Sequence, residues 1–334
     1  MNRYIINLNL PPEERWVNLV TEYKDECINA FREMEKMIPL PQAYESMLEN
    51  MIKQNMNIIM YKEELISISN ILDMPLYKVI MAQLCYEMFS ACTSVIVNNV
   101  DIDNPRGINV ISSNVHYRTM DWDMPYLKKL TVELDFRYDD QTKFIATSWV
   151  GYIGIMTGMI PRQYSIALNY RRSDGTILGN VKRALDKYWP VGYLIRDIME
   201  KNTINCDSED TFDETMRRFE DSLLISPCYI SICSSSGRNY IIVRDYNKVA
   251  QIKGSADFLV QTNIDPDDTN PNANILWSKE RKALATKIIE RERSSWENNE
   301  DVYSSFNKSP IINSQTIYTS IMIPKLGFMK SYSS

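Results

Sequence analysis

The chain has 334 residues, 44% of them hydrophobic, a formal charge of −6 and a single histidine. That length and apolar share suffice for one large or two smaller domains with a real core, and there is no basic surplus to suggest nucleic acid. One histidine excludes HExxH and poly-histidine metal centres and leaves a serine triad only if it uses His116. The absence of GxGxxG and GxxxxGK[ST] argues against dinucleotide and P-loop sites, so no metal and no cofactor is expected.

The N-terminal "MNRYIINLNLPPEERW" lacks the long apolar core of a signal peptide, and no run of about eighteen apolar residues occurs, so as written the sequence reads as soluble and intracellular. After a strand-like "YIINLNL", Pro11-Pro12-Glu13-Glu14 suits a helix start. Trp16, Leu19, Val20, Tyr23, Cys27 and Phe31 then follow at helical spacing. That stripe reads as core packing, or more sharply as a face that touches a membrane. Further helices are expected from Pro41, over about 61–72 and over about 75–90.

At Cys92 the period changes. "CTSVIVNN", "INVISSNVHYR", "KKLTVELDFRY", "TKFIATSWVGY" and "YSIALNY" read as strands. Helical patterns follow near 176–188, 190–202 and 208–224. Next come strands "CYISICS", "NYIIVRD" and "DFLVQTN", a polar loop over 265–274, a helix near 278–293 and a last strand "TIYTSIMI". Strands, then helices, then strands predict an α+β layered fold without an inter-domain linker. The six cysteines (Cys27, Cys85, Cys92, Cys206, Cys228, Cys233) form no CxxC pair and read mostly as buried thiols.

Taken alone, Cys92 is a buried core thiol. In order, however, "CTS" at Cys92, Arg118-x-x-Asp121, "VQTN" ending at Asn263 and "KER" ending at Arg281 resemble the acid ceramidase and N-acylethanolamine acid amidase family of N-terminal-nucleophile cysteine hydrolases. The resemblance also takes in "NLPPEERWVNL", "LKKLTVEL", "VGYIGIMTG", "PVGYLIRDIMEK" and "IYTSIM", nearly the whole chain, and leans toward the N-acylethanolamine branch. It implies an αββα sandwich with a helical N-terminal segment. It also implies self-cleavage of the Ala91–Cys92 bond into an α segment, 1–91, and a catalytic β segment, 92–334, that remain together as a heterodimer. The implied substrate is a fatty acyl amide, with an N-acylethanolamine preferred over ceramide. The implied location is the lysosome, against the absence of a signal peptide in this chain.

The resemblance assigns roles residue by residue. Cys92 is the nucleophile, and its freed α-amine takes the thiol proton, so no histidine is needed. Arg118 would favour the thiolate, Asp121 would orient the amine, Asn263 would donate to the oxyanion, and Arg281 would hold the carboxylate and backbone in place. Two departures stand out: Tyr170 in "LNYR" replaces the usual Glu or Asn, and "HYRTMD" replaces "HGRNLD". Tyr170 is therefore expected at the substrate. Residues three apart on a strand face opposite sides, so a break near Thr119–Met120 is expected if Arg118 and Asp121 share a site. Trp149, Met156 and Met159 in the Gly-rich "WVGYIGIMTGMIP" read either as core or as the wall of an acyl channel. Two alternatives stay open: a Cys92–His116 dyad without self-cleavage, and a lipid-binding relative that has lost turnover.

Overall fold

The computed structural model describes residues 1–37, 42–85, 90–103, 110–173, 175–202, 209–265 and 274–333. The N-terminal part runs β1 (Arg3–Asn7), a 3-10 turn at Pro12–Glu14, then α1 (Val17–Glu22), α2 (Lys24–Met37), α3 (Gln42–Gln54), α4 (Lys62–Leu72) and α5 (Leu76–Cys85). From Ala91 the elements are β2 (Ala91–Asp103), β3 (Val110–Asp121), α6 (Leu127–Leu130), β4 (Thr131–Tyr138), β5 (Gln141–Trp149), β6 (Thr157–Ile160) and β7 (Tyr164–Tyr170). There follow α7 (Ile177–Leu185), α8 (Val191–Asn202), α9 (Glu209–Asp221), β8 (Cys228–Ser234), β9 (Tyr240–Arg244), β10 (Val249–Gly254) and β11 (Phe258–Gln261). The last elements are α10 (Ser278–Glu292), α11 (Asn299–Phe306), β12 (Thr316–Ile323) and β13 (Phe328–Ser333).

Among the described residues the strands form an eight-stranded sheet, β1-β4-β5-β6-β7-β8-β9-β10, and a five-stranded sheet, β11-β2-β3-β12-β13. Strand alternation explains the layering. In β2, Val95 and Val97 face outward against Ala285, Ile288 and Ile289 of α10 and Val302 and Phe306 of α11. Ser94 faces inward, and its hydroxyl donates to Asn169 Oδ1 of β7 at 2.7 Å. On the other sheet, Leu134, Phe136, Phe144, Ile166 and Ile230 face outward to the N-terminal helices, α8 and α9. Helices, sheet, sheet, helices is therefore the order of layers, and the fold is the expected α+β, αββα sandwich.

The apolar stripe of the first helix belongs to the core: Trp16, Leu19, Val20, Cys27 and Phe31 are all buried. The helix divides at Tyr23 into α1 and α2. No single described helix is long and apolar enough to cross a membrane; only the pair at Lys62–Leu72 and Leu76–Leu84, bent by 116°, passes that test together. The N-terminal segment is built into the sandwich as well as laid over it. β1 pairs in parallel with β4, Arg3 opposite Glu133. The buried Gln83 side chain donates to Gly151 O at 2.8 Å and accepts from Ile153 N at 2.9 Å. The expected helix end at 86–89, the stretch 104–109 between β2 and β3, and the loop 266–273 lie outside the described residues.

Candidate active site

Cys92 is the second residue of β2 and is fully buried. β11 runs antiparallel to β2 with Gln261 opposite Ser94. Continuing that register two residues brings Asn263 level with Cys92. There the Cys92 backbone N–H donates to Asn263 Oδ1 at 2.6 Å. Asn263 Nδ2 donates to the Tyr170 carbonyl at 2.7 Å and lies 3.5 Å from the Ser90 carbonyl. The "VQTN" signal thus marks a strand end that the sheet carries to the thiol.

Arg281 enters from the first turn of α10 and is fully buried. Its Nη1 donates to the Cys92 carbonyl at 2.6 Å and to Thr93 Oγ1 at 2.8 Å. Its Nη2 donates to Asn263 Oδ1 at 3.0 Å and Ser278 Oγ at 3.1 Å, and its Nε to the Leu276 carbonyl at 2.8 Å. The guanidinium therefore grips the nucleophile's carbonyl, the Asn263 carboxamide and the loop before α10 at once. Burial pulls its pKa below the ordinary arginine value, with Asp121 opposing.

Asp121 ends β3 opposite Ala91. Its Oδ1 accepts from Thr316 Oγ1 at 2.6 Å, while Oδ2 lies 3.7 Å from Arg281 Nη1 and receives no hydrogen bond among the described residues. Burial raises the carboxyl above the usual aspartate range, and Arg281 only partly offsets this.

Arg118 and Asp121 reach this region from opposite faces, and the expected break near Thr119–Met120 is absent. β3 pairs residue for residue with β2 from Ala91–Asp121 to Val97–Val115. The irregularity is on the partner strand: Thr316 faces Asp121 and Tyr318 faces Met120, leaving Ile317 as the extra residue in β12. With alternation intact, Arg118 points between the sheets, to Thr157 Oγ1 at 3.1 Å and the Leu168 carbonyl at 2.8 Å. Asp121 points to the α10 side. Met120, which sequence reasoning does not single out, links the inner face. Its sulfur lies 3.9 Å from Cys92 Sγ and 3.8 Å from Arg118 Nη2. Ser278 and Thr316 also escape sequence reasoning; a lone Ser before "KER" and a Thr opening "TIYTSIMI" carry no distinctive signal.

His116 cannot pair with Cys92. It lies opposite Ile96, four residues along β3 from Met120, the residue opposite Cys92. That spacing is about 13 Å. Its Nδ1 bonds with Ser165 Oγ at 2.9 Å, and Nε2 has no partner among the described residues. Burial, reinforced by Arg118, lowers its pKa to about 3, so the ring is neutral. The dyad alternative is therefore set aside.

A cleft of about 560 Å³ opens beside Ala91, lined by Ser90, Ala91, Asp121, Trp122, Tyr170 and Leu276 among others; Cys92, the next residue, is buried and does not line it. Tyr170 thus borders the cleft. Trp149 packs against Trp122, ring centroids 5.6 Å apart, and the two help enclose a small apolar cavity of about 30 Å³ with Phe31, Met34 and Leu127. Met156 is buried in the core, and Met159 packs with Ile145, Met322 and Met329; the structure brings none of Trp149, Met156 and Met159 to the cleft.

An αββα sandwich with a buried cysteine at the start of an inner strand and a cleft lined by the residues before it has the N-terminal-nucleophile hydrolase class of fold. A solved structure of the Caenorhabditis elegans N-acylethanolamine-hydrolyzing acid amidase ortholog aligns with 73% of this chain and 100% of its own, with a TM-score of 0.57 at 22% identity. Residues 2–54 match the family described as the beta subunit of N-acylethanolamine-hydrolyzing acid amidase; the segment called α here thus carries the label beta in that description. Acid ceramidase of Heterocephalus glaber is 29% identical, covering 96% of this chain and 82% of its own. An uncharacterized protein of Acanthamoeba polyphaga mimivirus is also 29% identical, covering 94% of each. Over most of its length the chain is thus similar to acid ceramidases, and its residues 2–54 are similar to the N-acylethanolamine-hydrolyzing acid amidase family.

Proposed function

We infer that the protein is a cysteine amidase that cleaves itself at Ala91–Cys92 and then hydrolyses fatty acyl amides, N-acylethanolamines before ceramides. The observation that carries this reading is the convergence on Cys92: its N–H bonded to Asn263, its carbonyl to Arg281, and a cleft lined by the two residues before it, Ser90 and Ala91. Its relatives' names support an amide hydrolase. In the first reaction the Cys92 thiol adds to the Ala91 carbonyl, the C–N bond breaks, and water hydrolyses the resulting thioester. The products are an Ala91 carboxylate and a Cys92 α-amine.

In the second reaction that amine accepts the thiol proton, and the thiolate attacks the amide carbon of the substrate. One Asn263 Nδ2 proton goes to the Tyr170 carbonyl. The other is directed at the Ser90 carbonyl, in the stretch that cleavage frees, and becomes the oxyanion donor. The tetrahedral intermediate collapses as the amine leaves with the proton held on the Cys92 nitrogen. Water then attacks the thioester, releases the fatty acid and restores the thiol. Asp121 holds the new ammonium, and Arg281 fixes Asn263 and the Cys92 carbonyl. The apolar side of the cleft at Trp122 and Leu276 receives the acyl end, where each buried methylene contributes roughly 0.8 kcal/mol.

Intact mass before and after incubation near pH 4.5–5 tests this reading. Wild type should split into two pieces with Cys92 as the new N-terminus, and Cys92→Ala should stay whole and lose turnover by about 10⁴-fold or more. A Cys92→Ala protein that still hydrolyses a fatty amide would sink the reading.

A further inference from the structure

Beside the nucleophile lies a polar cluster that the mechanism above does not use. Arg171, next to Tyr170 at the end of β7, makes a two-pronged contact with Asp265, Nε to Oδ1 at 2.8 Å and Nη2 to Oδ2 at 2.7 Å. Tyr229 Oη of β8 donates to the same Oδ1 at 2.8 Å, and Arg171 Nη1 donates to Asp245 Oδ1 at 2.5 Å. Asp265 lies two residues beyond Asn263, and Arg171 one beyond Tyr170, whose carbonyl takes the Asn263 Nδ2 proton. The two sheets are thus tied twice within three residues, once by the carboxamide and once by the ion pair.

We propose that Arg171 and Asp265 are positioning residues: together they clamp the turn after β11 to the end of β7 and so fix where the Asn263 carboxamide points. The proposal rests on the reading of Asn263 as the oxyanion donor. A fork onto a carboxylate restricts both distance and rotation, which a single charged contact does not. Without it, the Asn263 oxygen would stay held by Cys92 and Arg281, and Asp265 would keep Tyr229, but the charged fork that sets the distance of the turn from β7 would be gone, and the Asn263 N–H would occupy the oxyanion position for less of the time. A displacement of that kind at an oxyanion donor affects the transition state more than the ground state.

The test compares wild type, Arg171→Met, Arg171→Lys and Cys92→Ala, using a fluorogenic fatty acyl amide and hydrogen-exchange mass spectrometry on peptides covering 259–265 and 90–94. The proposal expects Arg171→Met to lower kcat at least tenfold with KM within about twofold, Arg171→Lys to recover only part of the loss, and the 259–265 peptide to exchange faster. It is overturned if exchange in 259–265 is unchanged, if kcat and KM change together, or if the loss of kcat equals the unfolded fraction measured by thermal melting. Turnover by Cys92→Ala would sink the amidase reading instead. The exchange data then still decide whether the clamp orders the turn.

Discussion

Arg196 and Arg281 are both fully buried, and they distribute their hydrogen bonds in different ways. Arg196, on α8, faces Glu64 of α4 squarely, Nη1 to Oε2 at 2.6 Å and Nη2 to Oε1 at 2.7 Å, with Nε on Glu200 Oε1 at 2.8 Å. Glu64 takes two further donors, Trp16 Nε1 at 2.6 Å and Arg15 Nη1 at 3.2 Å. Arg281 donates to neutral oxygens instead, and its carboxylate neighbour, Asp121, is 3.7 Å away with one oxygen unbonded among the described residues. The first region is saturated, as a structural tie should be. The second leaves a carboxylate partly unsatisfied at the one place where cleavage would create a new amine. The two carboxyl groups accordingly shift in opposite directions. Burial raises Glu64, but Arg196 and the other donors outweigh it and hold the group low. Burial wins at Asp121.

Breaking the saturated region should have the largest effect on stability. Arg196→Met leaves Glu64 buried with only the partly exposed Arg15 as a cationic partner. Losing one member of a buried pair costs about 3–5 kcal/mol. The tie joins α4, before the proposed cleavage point, to α8 after it, so the two pieces should also separate at lower denaturant. Urea unfolding followed by size-exclusion chromatography checks this, and a midpoint equal to wild type would mean that the pair is not what joins the segments. Self-cleavage should proceed normally in the protein that folds.

Asn263→Ala breaks the other region. Loss of one oxyanion donor raises the barrier by roughly 3–4 kcal/mol, a fall in kcat of about 10²–10³. The fold should survive, because Arg281 keeps its bonds to the Cys92, Ile275 and Leu276 carbonyls. Steady-state kinetics on a fatty amide decides: a change confined to KM would remove Asn263 from the transition state and assign it to ground-state binding.

The saturated and unsaturated regions are unequally legible in the sequence. Alternation in "KLTVELDF" and "TIYTSIMI" points to β4 and β12, because their apolar faces are buried on one side of a sheet. β6 escapes, since four residues inside a Gly-rich stretch give no period to read. β10 and β13 escape because edge strands have mixed polar exposure. α11 announces itself only by its capping box, Asn298 with Asp301, which follows a polar run. At the site, Cys92, Asp121, Asn263 and Arg281 are found from motif order and do meet. The strand break is misplaced because a bulge is a property of two strands, and the sequence of β3 says nothing about an extra residue in β12. The Glu64–Arg196 tie is invisible for a similar reason: its members are 132 positions apart, and each reads singly as a surface charge.

The smallest effect is the most discriminating, because it concerns the sign of a pH dependence. Burial raises the Asp121 pKa in the uncleaved fold, so the folded chain binds a proton there more readily than the unfolded one. Its contribution is fully present below the unfolded aspartate pKa, about 3.9, and is lost as pH rises through the raised folded value. Glu64 has the opposite sign: its contribution is present above the unfolded glutamate pKa, about 4.3, and is lost as pH falls through its depressed folded value. Asp121→Asn removes one titration and leaves the other. Both proteins should be compared on a Cys92→Ala background, which keeps the chain in one piece. The stability of the protein that retains Asp121, minus that of its Asp121→Asn counterpart, should then decrease as pH rises from acid toward neutral. The decrease is on the order of 1 kcal/mol for each tenfold by which folding tightens proton binding at the carboxyl. Melting temperatures across pH 3.5–7.5 read this directly, and a difference that is flat or increases with pH would mean that the Asp121 carboxylate is already paired in the uncleaved chain. In the cleaved chain the new ammonium should favour the ionised carboxylate and flatten the same difference, so that self-cleavage itself removes the electrostatic imbalance that marks this aspartate out from Glu64.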